Sequence, residues 1–489
     1  MQKIKVLITA YEAAPFYKRG GLGDVMESLP KALNKIGIDT RVVIPYYNDI
    51  KKKYHLRKEG EFTINFGFEK ESIRVYSSLL PFVANSPQGG LKTKVPFYFL
   101  ENTKYLFSST TLGKNKRIDK FAFFSLAVAH FANWVLEYQH FSPSLIHCND
   151  WHTALIPLIL RQKMKFEIPT LLTIHNLNYQ GVGSLRVLDL LGMKDEETKE
   201  LKRGKPATEI NVLGEGIIHA TRVSTVSQSY TKEIADDYTG SRISPFFKKR
   251  EEERLGKDGR IIGILNGIDY NIWNPKTDDL LFCEYDIDTW EAGKRKNKDN
   301  LLKGLGLEDR PTFCFVGRMA KQKGLDVLIK AVDRLESLNI NVIILGEGNI
   351  KIQENVSKLA RKYPSWVKAE LIYSEEFAHK FYGASDFIII PSHYEPCGLI
   401  QMIAMRYGAL PIASKTGGLK DSIKNNSNGF LFRKGLSRAL VKAVKRALII
   451  YKSPQKHQKM VTRAMNTNFS WEKSAKKYKR LYQEILRSF

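Results

Sequence analysis

The sequence predicts an α/β protein of two doubly wound, mostly parallel sheets. Three observations carry that prediction. Short strand-like apolar runs alternate with amphipathic helical stripes almost throughout. The alternation forms two series, one beginning at Ile4 and the other near Pro311. Glycine-containing turns fall where strands end and helices begin, the edge at which open α/β sheets bind ligands.

The first series opens with a buried strand, Ile4 to Thr9, and a loop containing Gly20 and Gly21. A helical stripe follows at Val25, Leu29, Ala32, Leu33 and Ile36, stopped by Gly37, and then a strand from Thr40 to Pro45. That is one βαβ crossover with glycines at its carboxyl edge. Further strands are expected at Ser144–Cys148, Thr170–Ile174, Arg222–Val226 and Ile261–Leu265. Between them and the first crossover, Phe62–Phe66, Ile73–Leu79 and Val95–Leu100 read as an antiparallel insertion.

The second series runs through strands Thr312–Val316, Asn341–Leu345, Ala369–Tyr373, Asp386–Ile390 and Leu410–Ala413, with helices between. Its first helix carries Leu325, Leu328, Ile329, Val332 and Leu335. The expected lobes are 1–275 and 276–470, parted by a polar, lysine-rich segment ending near Asn300. The remainder, 471–489, reads as a helix whose apolar stripe holds Trp471, Tyr478, Leu481, Tyr482 and Ile485, with the first lobe as its dock. Two such lobes would face a common cleft.

Composition bounds the function. With 489 residues, 43% of them hydrophobic, the chain can bury a large core. No apolar run reaches bilayer length, and the start has no secretory pattern. Cys148, Cys283, Cys314 and Cys397 lack metal-ligand spacing, so a reducing, cytoplasmic setting with no disulfide framework is expected. The net charge of +26 gathers at Lys51–Lys53, Lys248–Arg250, Lys294–Lys298 and Lys476–Arg480. These clusters are far apart and carry no nucleic-acid-binding pattern, so they read as solvated surface, with neither a specific nucleic acid nor a membrane as partner.

Six segments carry chemistry. Lys18-Arg19-Gly20-Gly21-Leu22-Gly23-Asp24 joins strand to helix, where backbone N–H groups and a helix start suit an anion; a plain tight turn would look the same. His147-Cys148-Asn149-Asp150-Trp151-His152 and His175-Asn176 lie at neighbouring strand ends. They suit a polar site, strand-capping hydrogen bonds or, through His147, Asp150, His152 and His175, a zinc ion, although no paired helical histidines support the last. Gly317-Arg318 to Lys323-Gly324 brings two cations to a strand end, suited to a departing diphosphate or to solvent. Glu395-Pro396-Cys397-Gly398-Leu399 sets a carboxylate before a helix start, suited to sugar hydroxyls. Thr416-Gly417-Gly418-Leu419 repeats the strand–glycine–helix device as a second anion nest. No Cys–His–Asn signature makes Cys397 a nucleophile.

Taken in order, these segments, with Thr173 to Gly181 and Ile264-Leu265-Asn266-Gly267-Ile268-Asp269, resemble the glycogen/starch synthase family of bacteria and plant plastids. The resemblance runs from about residue 3 to residue 485. It implies a GT-B fold and a retaining transfer of glucose from ADP-glucose, or UDP-glucose, to the non-reducing 4-hydroxyl of an α-1,4-glucan such as glycogen. It implies no metal or other cofactor. The implied reaction centre is Asp150, His175, Arg318, Lys323 and Glu395. Donor contacts would come from Lys18, Gly20, Gly21, Asn176, Asn211, Cys397, Gly398, Leu399, Thr416, Gly417 and Gly418, and acceptor contacts from Asp24, Trp151 and His152. His175 would donate a hydrogen bond to the sugar. Gly214 stands where relatives commonly carry Lys, Arg19 replaces a common Thr, and 236–260 is charged where a glycine-rich loop is usual; all bear on acceptor handling. Two rivals remain: a same-fold transferase acting on a small acceptor, and a catalytically weak glycan- or polyanion-binding protein.

Overall fold

The computed structural model describes residues 3–79, 95–108, 114–193, 208–235, 243–253, 259–372 and 374–489. The chain forms two compact units. The first comprises 1–226, 231–264 and 471–489; the second comprises 227–230 and 265–470.

In the first unit the strands are β1 (Lys5–Thr9), β2 (Asp39–Pro45), β3 (Arg57–Phe66), β4 (Glu69–Leu79), β5 (Pro96–Glu101) and β6 (Leu145–Asn149). They continue with β7 (Thr170–Ile174), β8 (Val182–Ser184), β9 (Glu209–Asn211), β10 (Arg222–Thr225) and β11 (Ile261–Gly263). Nine of them form one sheet in the order β11-β10-β7-β6-β1-β2-β5-β4-β3, while β8 and β9 pair separately. β6 and β7 are buried at every position, as strands covered on both faces must be. The expected antiparallel insertion forms: β3 pairs antiparallel with β4, and β4 with β5. β5 also runs parallel to β2, with Val42 opposite Phe97, and so joins the insertion to the main sheet. Burial of Phe97 to Glu101 fixes β5 inside the fold.

The helix Gly21–Lys35 follows β1. Its Val25, Met26, Leu29 and Leu33 share one core with Trp471, Tyr478, Leu481, Tyr482 and Ile485 of the C-terminal helix Trp471–Ser488. Each large apolar side chain so buried contributes about 1.5–3 kcal/mol before entropic costs. The exposed Lys35–Glu472 pair at 3.4 Å adds well under about 1 kcal/mol by comparison. The amphipathic stripe is therefore what docks this helix on the first unit.

The second unit holds β12 (Thr312–Val316), β13 (Asn341–Leu345), β14 (Val367–Glu370), β15 (Phe387–Ile390), β16 (Leu410–Ser414) and β17 (Phe430–Phe432). All are parallel, in the order β14-β13-β12-β15-β16-β17. The strand expected at Ala369–Tyr373 lies earlier in the chain, because Val367 pairs with Val342 and Glu370 with Leu345. Tyr373 is outside the described residues.

Two lysine–arginine clusters are solvated only in part: Lys248, Arg295 and Lys296 are exposed, but their neighbours are not. Arg250 is fully buried, and its guanidinium donates to the carbonyls of Ile217, Ala220 and Thr221 at 2.7–2.9 Å. Lys294 is buried too, donating to the carbonyls of Tyr382, Gly383 and Tyr407 at 3.0–3.2 Å. Both cations satisfy carbonyls at helix carboxyl ends, where the dipole favours positive charge. Lys298 meets Asp386 at 2.7 Å. The first two of these residues therefore hold helices in place rather than dissolve the surface. Of the charged stretch 236–260, residues 236–242 and 254–258 lie outside the described residues.

Candidate functional site

In the first unit, the singled-out loops leave the carboxyl ends of three neighbouring strands, β1, β6 and β7. At the end of β1 the expected anion nest already holds an anion from the protein. Glu12, fully buried, accepts hydrogen bonds from the Arg19 and Gly20 amides on Oε2, the second at 3.0 Å, and from the Gly23 amide on Oε1 at 3.2 Å. Burial pushes its carboxyl up to about 7. The Gly20 amide is thus committed internally, whereas a Cβ at Gly21 would meet nothing within 4 Å. Lys18 pairs with Asp24 at 2.6 Å, both partly exposed. Gly23 makes room for this: a Cβ there would come within 3.0 Å of the Lys18 Cγ.

At β6 and β7, Asp150 adopts a positive φ of 57°, a costly conformation for a residue with a side chain. The turn aims its buried carboxylate at the next strand end. Asp150 Oδ1 accepts from the His175 amide at 2.7 Å and the Asn176 amide at 3.3 Å. Burial pushes its carboxyl up to about 7, opposed by those two N–H bonds, with the Glu12 charge raising it further.

Asn149 orients the His175 ring. Its Nδ2 donates to the carbonyls of Thr9 and His147 at 3.1 and 3.2 Å, leaving Oδ1 to face His175 Nε2 at 2.9 Å. An amide oxygen only accepts, so Nε2 carries the proton. Burial holds His175 down to about 3, so the ring is neutral and its Nδ1 is an acceptor. The expected donation of a hydrogen bond from the His175 ring to a sugar is therefore reversed: Nδ1 would receive one.

His147 lies inside the sheet, not in a site. Its ring bonds Tyr482 Oη at 2.8 Å and Thr173 Oγ1 at 2.6 Å, which removes it from any zinc set. Among the described residues no group of three or more His, Cys, Asp and Glu side chains could hold a metal ion. Trp151 is buried, with its ring against Phe121 and over Gly181, where a Cβ would come within 2.2 Å. His152 stacks on Tyr11 at 3.7 Å. Asn211 caps the helix Val212–His219 by accepting from the Gly214 amide at 3.0 Å, and it donates to Gln180 at 2.7 Å. Any Cβ at Gly214 would lie within 2.4 Å of the Phe246 ring, so a side chain there requires that ring to move.

In the second unit the loops leave β12, β15 and β16, again neighbours. Lys323 Nζ meets Glu395 Oε2 at 2.6 Å, and Ser392 Oγ donates to the same oxygen at 3.1 Å. Glu395 is only 6% exposed, so its carboxylate is largely withdrawn from solvent. Glycines allow the loops to interleave. A Cβ at Gly324 would come within 2.0 Å of the Pro391 carbonyl oxygen, and one at Gly417 within 2.0 Å of that of Glu395. The Gly418 amide donates to the carbonyls of Glu395 and Pro396 at 3.0 and 3.2 Å, so it braces the Glu395 loop. Thr416 is buried beside it. At Gly398 the φ of 73° requires glycine, and Leu399 precedes the helix Ile400–Arg406. Cys397 is buried, which pushes its thiol up to about 12 and makes it a poor nucleophile. Arg318 is exposed and takes no part in the Lys323–Glu395 pair.

Four residues that hold these loops escaped the sequence reading: Glu12, Asn149 as the partner of His175, Ser392 and Gln401. Gln401 is fully buried and donates to the carbonyls of Cys397 and Gly398 and to Ser422 Oγ. A lone buried carboxylate or amide has no periodic signal; the cue was proximity to a glycine turn.

Comparison with known proteins matches this organisation. The starch synthase catalytic domain profile covers residues 5–249, and that of glycosyl transferases group 1 covers 297–466. The glycogen synthase of Clostridium novyi is 37% identical, covering 99% of both chains. That of Clostridium acetobutylicum is also 37% identical, over 99% of this chain and 100% of its own. Among solved structures, the catalytic domain of starch synthase IV from Arabidopsis thaliana, bound to ADP and acarbose, superposes with a TM-score of 0.83. It shares 30% identity and covers 99% of this chain and 100% of its own. Sucrose-phosphate synthase from Thermosynechococcus elongatus has a TM-score of 0.60 at 18% identity, over 99% of this chain and 100% of its own, and shares the GT-B fold alone.

Proposed function

The chain belongs to the glycogen synthase family, and from that premise we propose that it lengthens α-1,4-glucans, moving glucose from ADP-glucose to the non-reducing 4-hydroxyl with retention. The observation that carries this reading is the Lys323–Glu395 pair, a cation and a buried carboxylate held 2.6 Å apart where two parallel strands end. A departing diphosphate needs fixed positive charge, and a bound glucose needs fixed acceptors. Lys323 and Arg318 serve the first need, as do Lys18 and the open backbone at Gly21. Glu395 serves the second, with the backbone from Cys397 to Leu399 and the braced Thr416–Gly418 turn.

Asp150, His175, Asn176 and Asn211 shape the reacting sugar, and Asp24 and His152 contact the acceptor, with Trp151 supporting His152 from below. His175 Nδ1 receives a hydrogen bond from a sugar hydroxyl. The acceptor oxygen attacks on the face that the nucleotide leaves, and its proton passes to the departing phosphate. Such a step depends on positioning and charge rather than on a side-chain nucleophile. The same reading gives a metal-independent, cytoplasmic enzyme. Starch synthase IV, crystallised with ADP and acarbose, supports the adenine donor and the glucan acceptor.

The test mixes purified protein with ADP-glucose or UDP-glucose and a glycogen primer. The expected result is nucleotide release with growth of α-1,4 chains, faster with ADP-glucose and unchanged by EDTA. Transfer to a small acceptor with none to glucan would overturn the assignment.

A further inference from the structure

We infer that Glu12 is a positioning residue for the donor loop: its carboxylate holds the Arg19, Gly20 and Gly23 amides from inside the fold and leaves Gly21 and Lys18 to meet a diphosphate. This rests on the reading of Lys18 and Gly21 as donor contacts. The helix Gly21–Lys35 begins at Gly20, which has no side chain to cap it. Glu12, eight residues upstream, accepts from Gly20 and Gly23 at 3.0 and 3.2 Å, and from Arg19 as well. A helix start left open would simply await an anion. Here those donors are already spent, on a carboxylate that solvent does not reach.

The consequence is a loop with two different faces. On the Glu12 face, N–H groups point inward. On the other, Gly21 has open space around its Cα. The Lys18 stem lies across Gly23, and its ammonium rests on Asp24 at 2.6 Å, a carboxylate standing where a phosphate oxygen would serve. Capping alone would ask only for an acceptor. The three converging N–H donors use both oxygens as acceptors, which the NH2 end of an amide could not do. Glu12 therefore fixes which backbone groups remain for the ligand.

The experiment measures ADP affinity, ADP-glucose kinetics and thermal stability for the wild type, Glu12→Gln and Lys18→Ala. Glu12→Gln is expected to raise the ADP Kd and the KM for ADP-glucose by about tenfold, with a smaller change in kcat. A purely structural cap would lower the Tm and leave the ADP affinity of the folded protein alone. Because Glu12→Gln risks misfolding, amide exchange on the wild type gives a second measurement. The Arg19, Gly20 and Gly23 amides should be protected without ligand and unchanged by ADP, while Gly21 slows when ADP binds. Wild-type affinity in Glu12→Gln beside a weakened Lys18→Ala would overturn the inference, as would ADP-dependent exchange at Gly20 and Gly23. Wild-type affinity in Lys18→Ala would instead overturn the donor-loop reading beneath it.

Discussion

Lys323 and Glu395 come from loops after different strands, β12 and β15, yet their charged atoms lie 2.6 Å apart. Gly324 makes the contact possible, since its missing Cβ lets the Lys323 loop close onto the Pro391 carbonyl. Removing either partner therefore affects both binding chemistry and local packing.

For Lys323→Ala, transfer to glucan should fall by at least about a hundredfold in kcat/KM. The Glu395 carboxylate would be left buried with the Ser392 hydroxyl as its side-chain donor, at a cost of about 1–3 kcal/mol. Steady-state kinetics and thermal denaturation measure the two effects separately. Kinetics close to wild type would remove Lys323 from the site.

At Gly214 a methyl group should already be costly. Its Cβ would lie within 2.4 Å of the Phe246 ring, and overpacking of this kind costs about 1–3 kcal/mol. Gly214→Ala should lower the midpoint of urea unfolding, and adding Phe246→Ala should recover part of the loss through direct coupling. Strictly additive effects would show that the ring is not what fills this space.

The strands read most accurately in advance were those buried at every position. Thr170–Ile174, Thr312–Val316 and Asn341–Leu345 are unbroken β-forming runs, and the structure begins and ends them at those residues. Edge strand β14 was misplaced because its register follows Val367 against Val342 rather than the later apolar residues. The helix Trp290–Leu305 looked like a polar linker because Lys294, Asn297 and Lys298 line its buried side. Those residues bond carbonyls and Asp386, and they interrupt the buried apolar face between Trp290 at one end and Leu301 and Leu302 at the other. The candidate loops were visible through their glycines. What the glycines do was only partly visible, since Gly324, Gly417 and Gly418 admit neighbouring backbone.

Thiol labelling distinguishes the four cysteines. Cys148, Cys314 and Cys397 are buried, and burial pushes each thiol up, the last two to about 12. Cys283 is half-buried. Brief iodoacetamide treatment of the native protein at pH 8 should modify Cys283 first, as read by peptide mass spectrometry. Cys397→Ser should retain transfer activity. Rapid labelling of Cys397 with loss of activity would point to a reactive thiol that its burial does not predict.

His147 should give the fold a specific acid sensitivity. It is fully buried, both ring nitrogens are hydrogen-bonded, and burial followed by the nearby His175 holds it down to about 3. The unfolded chain would titrate this ring at about 6.5. The fold thus favours the neutral form, so this contribution to stability is full above about 6.5 and is lost as pH falls toward about 3. Glu12 and Asp150 act oppositely. With folded values raised to about 7, they add stability as pH falls from there to the usual carboxylate range of about 4. Between about 6.5 and 4 these two contributions offset one another, and below that the histidine contribution continues to fall. Comparing wild type with His147→Gln isolates one ring from the others. The stability gap between them should be constant above pH 7 and should narrow steadily from about 6.5 to 3.5, as measured by urea unfolding at each pH. A gap that stays constant throughout would mean that this ring titrates alike in the folded and unfolded chains.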